Sequence, residues 1–227
     1  MTAAPTPNQA EWGFPNKATP LGSPAYYAVR FAPEGTRELH ALLLAWFHAM
    51  QSIAQSPTDP GVARLKLDWW RTEVTQALGG GEPRHPLMTG LCAEGLNAEA
   101  INPMHEIIDE SERGIRQPVL STAAAFGETC RQAGGNLFIL MCQPRRASSY
   151  NPDRCIALGG YWHAIERLRL FVKNPRVVPH DARDLLKNAH DAGQRQAGFE
   201  RLIAYPGSAQ RLGTEAIPDV ARRLVAG

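Results

Sequence analysis

The chain has 227 residues, enough for one large domain with a sizeable core. Its hydrophobic content of 44% is ordinary for a globular protein. The net charge of +2, with acids interspersed among the basic residues, argues against a nucleic-acid-binding protein, and Arg145-Arg146 is the nearest approach to a basic cluster. No apolar run reaches the roughly 20 residues that a membrane span needs.

The first elements are an arm and a long apolar helix. Four prolines in residues 1–20 predict a loose N-terminal arm, and residues 21–227 are expected to form a single helical domain. Tyr26 and Tyr27 follow the arm, and aromatic core at a domain edge is their commoner role. The next helix is predicted from about Glu34 to Gln55, with an apolar face wider than a surface helix needs.

The next helix is predicted between two clear boundary signals. Asp59 is a good N-cap, Pro60 suits the first helical position, and Gly79-Gly80-Gly81 ends the helix. Between them, an approximately helical spacing places one apolar stripe facing the core. The residues of this stripe are Val62, Leu65, Trp69, Val74 and Leu78. On this register Trp69 is mostly buried, and Trp70 lies on the flank of the stripe.

The remaining pattern is also helical throughout. A short helix with a break is predicted over 87–100, and longer helices over 102–113, 121–141 and 153–173. Two or three short helices are expected between His180 and Gly227. No segment alternates apolar and polar residues as a strand does. We therefore predict an all-α protein, with helices centred near residues 45, 70, 108, 131 and 163.

Two groups of polar residues invite a metal-binding interpretation. Asp109, Glu110 and Glu112 form a charge run on a helix, for which a solvated face is the commoner role. His163 and Glu166 are three residues apart and share a helix face, but two ligands do not make a zinc site. The sequence therefore predicts no metal site.

The cysteines and the N-terminus indicate a cytoplasmic protein. Cys92, Cys130, Cys142 and Cys155 have neither C-x-x-C pairing nor metal-finger spacing, which favours reduced thiols in a reducing compartment. Residues 1–10 lack the positive start and apolar middle of a signal peptide.

The Trp-Trp helix carries the pattern A-R-x-K-L-x-W-W-R-x-E over 63–73, followed by Pro83-Arg84-His85-Pro86-Leu87. This pattern resembles the squalene/phytoene synthases, which join two prenyl diphosphates head-to-head. Leu21 to Pro33, Ile107 to Glu110, Glu128 to Gly135 and Ala157 to Asn174 resemble further family segments, so the likeness covers roughly residues 15–190. It implies an all-α isoprenoid (terpenoid) synthase-like helical bundle, shortened at the C-terminus.

The resemblance also implies where the family's site would lie. Its first pair of metal-binding aspartates falls on Gln51 and Gln55, and its second pair on Leu170 and Asn174. Tyr26 and Tyr27 would line a prenyl-chain cavity. The residues implied to contact substrate are Tyr26, Tyr27, His48, Gln51, Gln55, His163, Glu166 and Arg169.

The residues at these four aspartate positions determine the function that we expect. Family members hold Mg²⁺ with aspartates, and the metal charge helps an allylic diphosphate to leave. None of the four positions here is a carboxylate, so the resemblance implies a protein without catalytic residues or cofactor. Such a protein would bind a protein partner or a lipid, with peripheral membrane contact, similar to the family's mitochondrial complex I assembly factors. The alternative is an active Mg²⁺-dependent prenyl transferase with ligands moved to Asp109, Glu110 and Glu166. A third interpretation is a subunit that needs a catalytic homologue.

Overall fold

The computed structural model describes residues 12–55, 59–116, 123–143 and 151–173, and every regular element in these ranges is helical. The predicted all-α class is confirmed. The elements are α1 (Pro24–Arg30), α2 (Arg37–Gln55), α3 (Pro60–Leu78), α4 (Pro86–Ala93), a 3₁₀ turn (Ala98–Ala100), α5 (Ile101–Arg116), α6 (Ala123–Cys130), a π-helical turn (Arg131–Gly135), α7 (Asn136–Cys142) and α8 (Pro152–Lys173).

The boundaries of α3 follow the predicted signals. Asp59 Oδ1 accepts hydrogen bonds from the backbone N–H groups of Gly61 at 2.6 Å and Val62 at 3.3 Å, and Pro60 takes the first helical position. Past the other end, Gly80 has a φ of +97°, which a residue with a Cβ adopts only with strain. Both ends of α3 are therefore set by local sequence.

The stripe of α3 that faces the core matches the prediction at Val74 and Leu78 and differs from it at the other three positions. Trp70 is 6% exposed and Trp69 is 41% exposed, so the prediction that Trp69 is the buried member of the pair is wrong. Val62 and Leu65 are exposed as well. The buried residues follow a more regular helical period in which alanines also face the core. They are Ala63, Leu67, Trp70, Glu73, Val74, Ala77 and Leu78.

The helix predicted over 121–141 is interrupted by the π-helical turn. At this turn Gly134 and Gly135 lie against α8 so closely that they leave no room for a side chain. A Cβ on Gly134 would lie 2.1 Å from the carbonyl oxygen of Gly159, and one on Gly159 would lie 2.0 Å from that of Gly134. The small residues of this stretch therefore allow the two helices to approach closely.

The core is centred on α2, whose buried residues include Leu43, Trp46 and Met50. Part of the predicted arm joins it, because Trp12 and Phe14 pack against the core and Asn16 Nδ2 donates to the carbonyl oxygen of Ala41 at 3.1 Å. Residues 1–11, Arg145-Arg146, Asn174 and the helices predicted after it lie outside the described residues.

Candidate functional site

The Trp-Trp helix and the loop after it are joined by a buried carboxylate. Glu73 is 2% exposed, and its Oε1 accepts hydrogen bonds from the backbone N–H groups of Arg84 at 2.7 Å and His85 at 2.8 Å. A buried carboxylate costs free energy unless it is hydrogen-bonded, and these two bonds satisfy that need. The conspicuous W-W-R-x-E and P-R-H-P segments therefore form one structural unit.

The imidazole of His85 lies at the centre of an aromatic cluster in this unit. Its ring centroid is 4.7 Å from that of Trp70, 6.0 Å from that of Trp69 and 5.7 Å from that of Trp12. Its Nδ1 accepts a hydrogen bond from the Leu87 backbone N–H at 3.1 Å, which caps the N-terminus of α4. These contacts give His85 a packing and capping role.

Arg71 joins α3 to the acidic run on α5. Its guanidinium pairs with Asp109 and Glu112, each at 2.6 Å, and with Asp68 of its own helix at 2.6 Å. Hydrogen bonding to Arg71 lowers the pKa of Glu112. The expectation of a solvated charged face is wrong for Glu112 and for Glu110, whose side chains are 15% and 8% exposed.

Glu110 lies on a different part of α5 from the Arg71 cluster. Its buried carboxylate pairs with Arg113, one helical turn later, at 2.6 Å. Asp109, Glu110 and Glu112 thus each have an arginine partner in the folded chain. The Arg71 pairs depend on the approach of α3 to α5, and the Glu110–Arg113 pair depends on the helical conformation of α5. A count of charges along the sequence shows neither.

The three predicted site residues of α2 have modest contacts. Gln51 Nε2 donates a weak hydrogen bond to Ser111 Oγ of α5 at 3.4 Å, and Gln55 is exposed. His48 is exposed and lies 3.5 Å from Ser52 Oγ through its Nδ1. Partial burial, with a smaller effect from the charge of Lys17, lowers the pKa of His48. None of these groups brings a negative charge to this face.

His163 of α8 lies deep in the protein. It is 3% exposed and packs edge-to-face against Phe47 of α2 at a centroid distance of 5.1 Å. Burial, together with the charge of Arg167, lowers the pKa of His163 to about 3, so the ring is neutral at physiological pH. Neither ring nitrogen has a hydrogen-bond partner among the described residues.

The other predicted contact residues are dispersed. Tyr26 is half-buried and stacks on Phe14 at 5.1 Å, whereas Tyr27 is 49% exposed and stacks on Phe31 at 6.3 Å. Glu166 is half-buried on α8, and the side chain of Arg169 lies outside the described residues. The tyrosines therefore have packing contacts on the N-terminal segment.

Aromatic side chains connect α2 and α8 where the resemblance implies facing carboxylates. The ring centroid of Phe47 lies 5.8 Å from that of Trp162 and 5.1 Å from that of His163, and the ring centroid of Phe138 lies 6.0 Å from that of Trp162. Gln51 contacts α5 and His163 contacts Phe47, so these two polar site residues have no common partner among the described residues. In the described ranges, no three His, Cys, Asp or Glu side chains are grouped as ligands for a metal ion.

The sequence did contain a signal for the missed residues. Trp70, Glu73, Val74 and Ala77 fall on one helical stripe, which places Glu73 on the buried face once Trp70 is assigned there. The Arg71 pairs had no such signal, because residues 38 and 41 positions apart form them.

Comparison with known proteins gives one match. The family model described as squalene/phytoene synthase matches residues 21–161, more than half of the chain. No significant match was found among curated proteins or among solved structures. The matched range includes the W-W-R-x-E helix, the P-R-H-P loop and the glycine contact with α8. The chain belongs to the squalene/phytoene synthase family.

Proposed function

We propose that this protein is a catalytically inactive member of the family that acts as a binding or assembly module for a protein partner or a lipid. The observation that carries the proposal is the absence of carboxylates at Gln51, Gln55, Leu170 and Asn174. Amide oxygens coordinate Mg²⁺ without supplying negative charge, and a leucine cannot coordinate it. Ionisation of a prenyl diphosphate needs that metal charge.

The contacts of the acidic residues support the proposal further. A relocated metal site would draw on Asp109, Glu110 and Glu166, but Asp109 is held by Arg71 and Glu110 by Arg113. A cation would have to displace two guanidinium groups to reach these carboxylates. The rings of Phe47 and Trp162 meet between α2 and α8 and make this region apolar. An apolar environment is unfavourable for a charged diphosphate.

A surface on α3 supports a binding role. Val62, Leu65 and Trp69 are 48%, 70% and 41% exposed, and with Ile53 and Lys66 they line an open groove of about 270 Å³. Scattered exposed apolar residues are normal, whereas apolar residues grouped in one groove form a surface that a partner can cover. In the part of the chain described, no helix has the length and apolar character needed to span a membrane. We therefore propose that the protein partner or lipid binds in this groove.

The catalytic part of the proposal is tested by incubation with farnesyl or geranylgeranyl diphosphate and millimolar Mg²⁺. We expect neither squalene nor phytoene, and no shift of the melting temperature. Binding at 100 times the dissociation constant would add about 2.7 kcal/mol to the free energy of unfolding, which a melting curve detects. Formation of either product refutes the inactive assignment. In that case loss of product in Asp109→Asn or Glu110→Gln would identify relocated ligands.

A variant with four restored aspartates provides the matched control. Gln51→Asp, Gln55→Asp, Leu170→Asp and Asn174→Asp together should create Mg²⁺ binding, because paired carboxylates are the ligands that this ion prefers. Repulsion among the new charges should lower the stability without metal. Unchanged Mg²⁺ affinity in this variant would contradict the proposed position of the lost site.

The groove is tested with vesicles of phosphatidylcholine and phosphatidylglycerol. Co-sedimentation that Leu65→Asp abolishes and Thr72→Asp preserves would assign the groove to lipid, since Thr72 is exposed on the same helix. Absence of vesicle binding would contradict a role of the groove in binding to a lipid surface. Vesicle binding that Leu65→Asp leaves intact would refute the assignment of the groove.

A further inference from the structure

Two of the four cysteines meet across the contact between α7 and α8. Cys142 is the last residue of α7 and Cys155 lies in the first turn of α8, and their Sγ atoms are 3.7 Å apart. Both are free thiols. A disulfide bond is about 2.05 Å long, so the two sulfur atoms need to approach by about 1.7 Å. We propose that Cys142 and Cys155 form a reversible dithiol–disulfide site, whose co-reactant is a small-molecule disulfide.

The glycine contact holds the two helices in the position that this site needs. Gly134 and Gly135 face Gly159 and Ile156, so α7 and α8 leave this point as neighbours that run in opposite directions. Close-packed backbones at this point leave little freedom for the helices to separate. The short distance between the sulfur atoms is therefore a property of the packed helices and not of two mobile chain ends.

The two thiols have different roles in the proposed reaction. Cys155 is 2% exposed, whereas Cys142 is only partly buried and is the sulfur that a reagent reaches first. The Cys155 thiol donates its hydrogen bond to Cys142 Sγ, and this bond lowers the pKa of Cys142. Cys142 is thus the attacking thiolate and Cys155 the resolving thiol.

The first step joins Cys142 to the reagent. The Cys142 thiolate attacks one sulfur of a disulfide RSSR, forms the mixed disulfide Cys142–S–S–R and releases RS⁻. Cys155 then gives its proton to water, and its thiolate attacks Cys142 Sγ and expels the second RS⁻. The protein loses two electrons and two protons, and RSSR is reduced to two thiols.

Formation of the mixed disulfide favours the second step. Hydrogen bonding to Cys142, burial and the negative charge of Cys142 raise the pKa of Cys155 in the reduced protein, and the charge of Arg154 opposes that rise. The mixed disulfide removes the negative charge of Cys142 and weakens the hydrogen bond, so Cys155 then loses its proton more readily. Two of the guanidinium nitrogens of Arg154 have no hydrogen-bond partner among the described residues. Cys130 and Cys92 differ from the attacking thiol Cys142, because burial raises the pKa of Cys130 to about 12 and also raises the pKa of Cys92. They serve as internal controls.

The test treats the full chain with oxidised glutathione and then maps its cysteines after alkylation and trypsin digestion. We expect the number of alkylated thiols to fall from four to two and to return to four with dithiothreitol. Cleavage after arginine should give a linked pair of peptides, 132–145 and 155–167. A linkage between any other pair, or four alkylated thiols after treatment that oxidises a reference dithiol, would overturn the proposal.

Three serine variants separate the roles of the thiols. Cys155→Ser should accumulate the mixed disulfide at Cys142, because no resolving thiol remains. Cys142→Ser should leave Cys155 unmodified, since the exposed partner is absent. Cys92→Ser is the matched control and should keep the full linkage. Stable glutathionylation of Cys142 in the unmutated protein, to the same extent as in Cys155→Ser, would refute the resolving role.

Discussion

The contact between Gly134 and Gly159 gives the most direct test of the fold. Gly134→Ala places a Cβ 2.1 Å from the carbonyl oxygen of Gly159, whereas an ordinary contact is at least 3.4 Å. The obstacle is backbone, so the two helices must separate by more than 1 Å. Overpacking of this kind costs about 1–3 kcal/mol, and the rigid obstacle favours the upper end. Alanine recovers at most about 1 kcal/mol of helix propensity, so we expect a net loss of about 2 kcal/mol.

Gly114→Ala is the matched control for this variant. A Cβ on Gly114 of α5 would lie 4.0 Å from the Cβ of Ala54, which is an ordinary contact. Here the helix propensity acts unopposed, and we expect a gain of roughly 0.5–1 kcal/mol.

Urea unfolding followed by circular dichroism measures both variants. The free energy of unfolding should fall for Gly134→Ala and rise for Gly114→Ala. For a chain of this size the fall corresponds to a decrease in melting temperature of about 4–8 °C. Equal stabilities of the two variants would refute the close approach of α8 to the π-helical turn.

Three further predictions concern buried side chains. Trp70→Ala should lower the free energy of unfolding by about 3–5 kcal/mol, because it leaves a cavity. Trp69 is 41% exposed, so Trp69→Ala should cost less than half as much. Equal urea midpoints for the two variants would show that the assigned register is wrong. Glu73→Ala leaves two backbone N–H groups without their acceptor and should lower the free energy of unfolding by about 2–4 kcal/mol. The control Glu82→Ala, at an exposed residue, should cost less than about 0.5 kcal/mol. Similar urea midpoints would contradict the role of Glu73 as acceptor of these two hydrogen bonds. Because burial lowers the pKa of His163 to about 3, the unfolded chain binds a proton below about pH 6.5 and the folded chain does not. The contribution of His163 to the free energy of unfolding should therefore be fully present above pH 6.5 and fall by up to about 1.4 kcal/mol per pH unit towards pH 3. His163→Gln should reduce this slope in urea unfolding measured from pH 7 to pH 4.

Local sequence signals determined the helices and most of their ends. Asp59 and Pro60 begin α3 and Gly80 follows its end because capping and φ preferences act within a few residues. The W-W-R-x-E and P-R-H-P segments, read as a family pattern, also predicted the family that the comparison confirms. That Gln51 and Gln55 carry no charge is visible in the sequence as well, and the proposed function rests in part on it.

Tertiary packing decided which faces of those helices are buried and which polar groups meet. A helix with apolar residues on two stripes has two feasible registers, and packing against α2 and the His85 loop selected Trp70 over Trp69. The Arg71–Asp109 pair and the Cys142–Cys155 pair join different helices. Spacing within one helix cannot predict such pairs, because they depend on how separate helices approach each other in the folded chain.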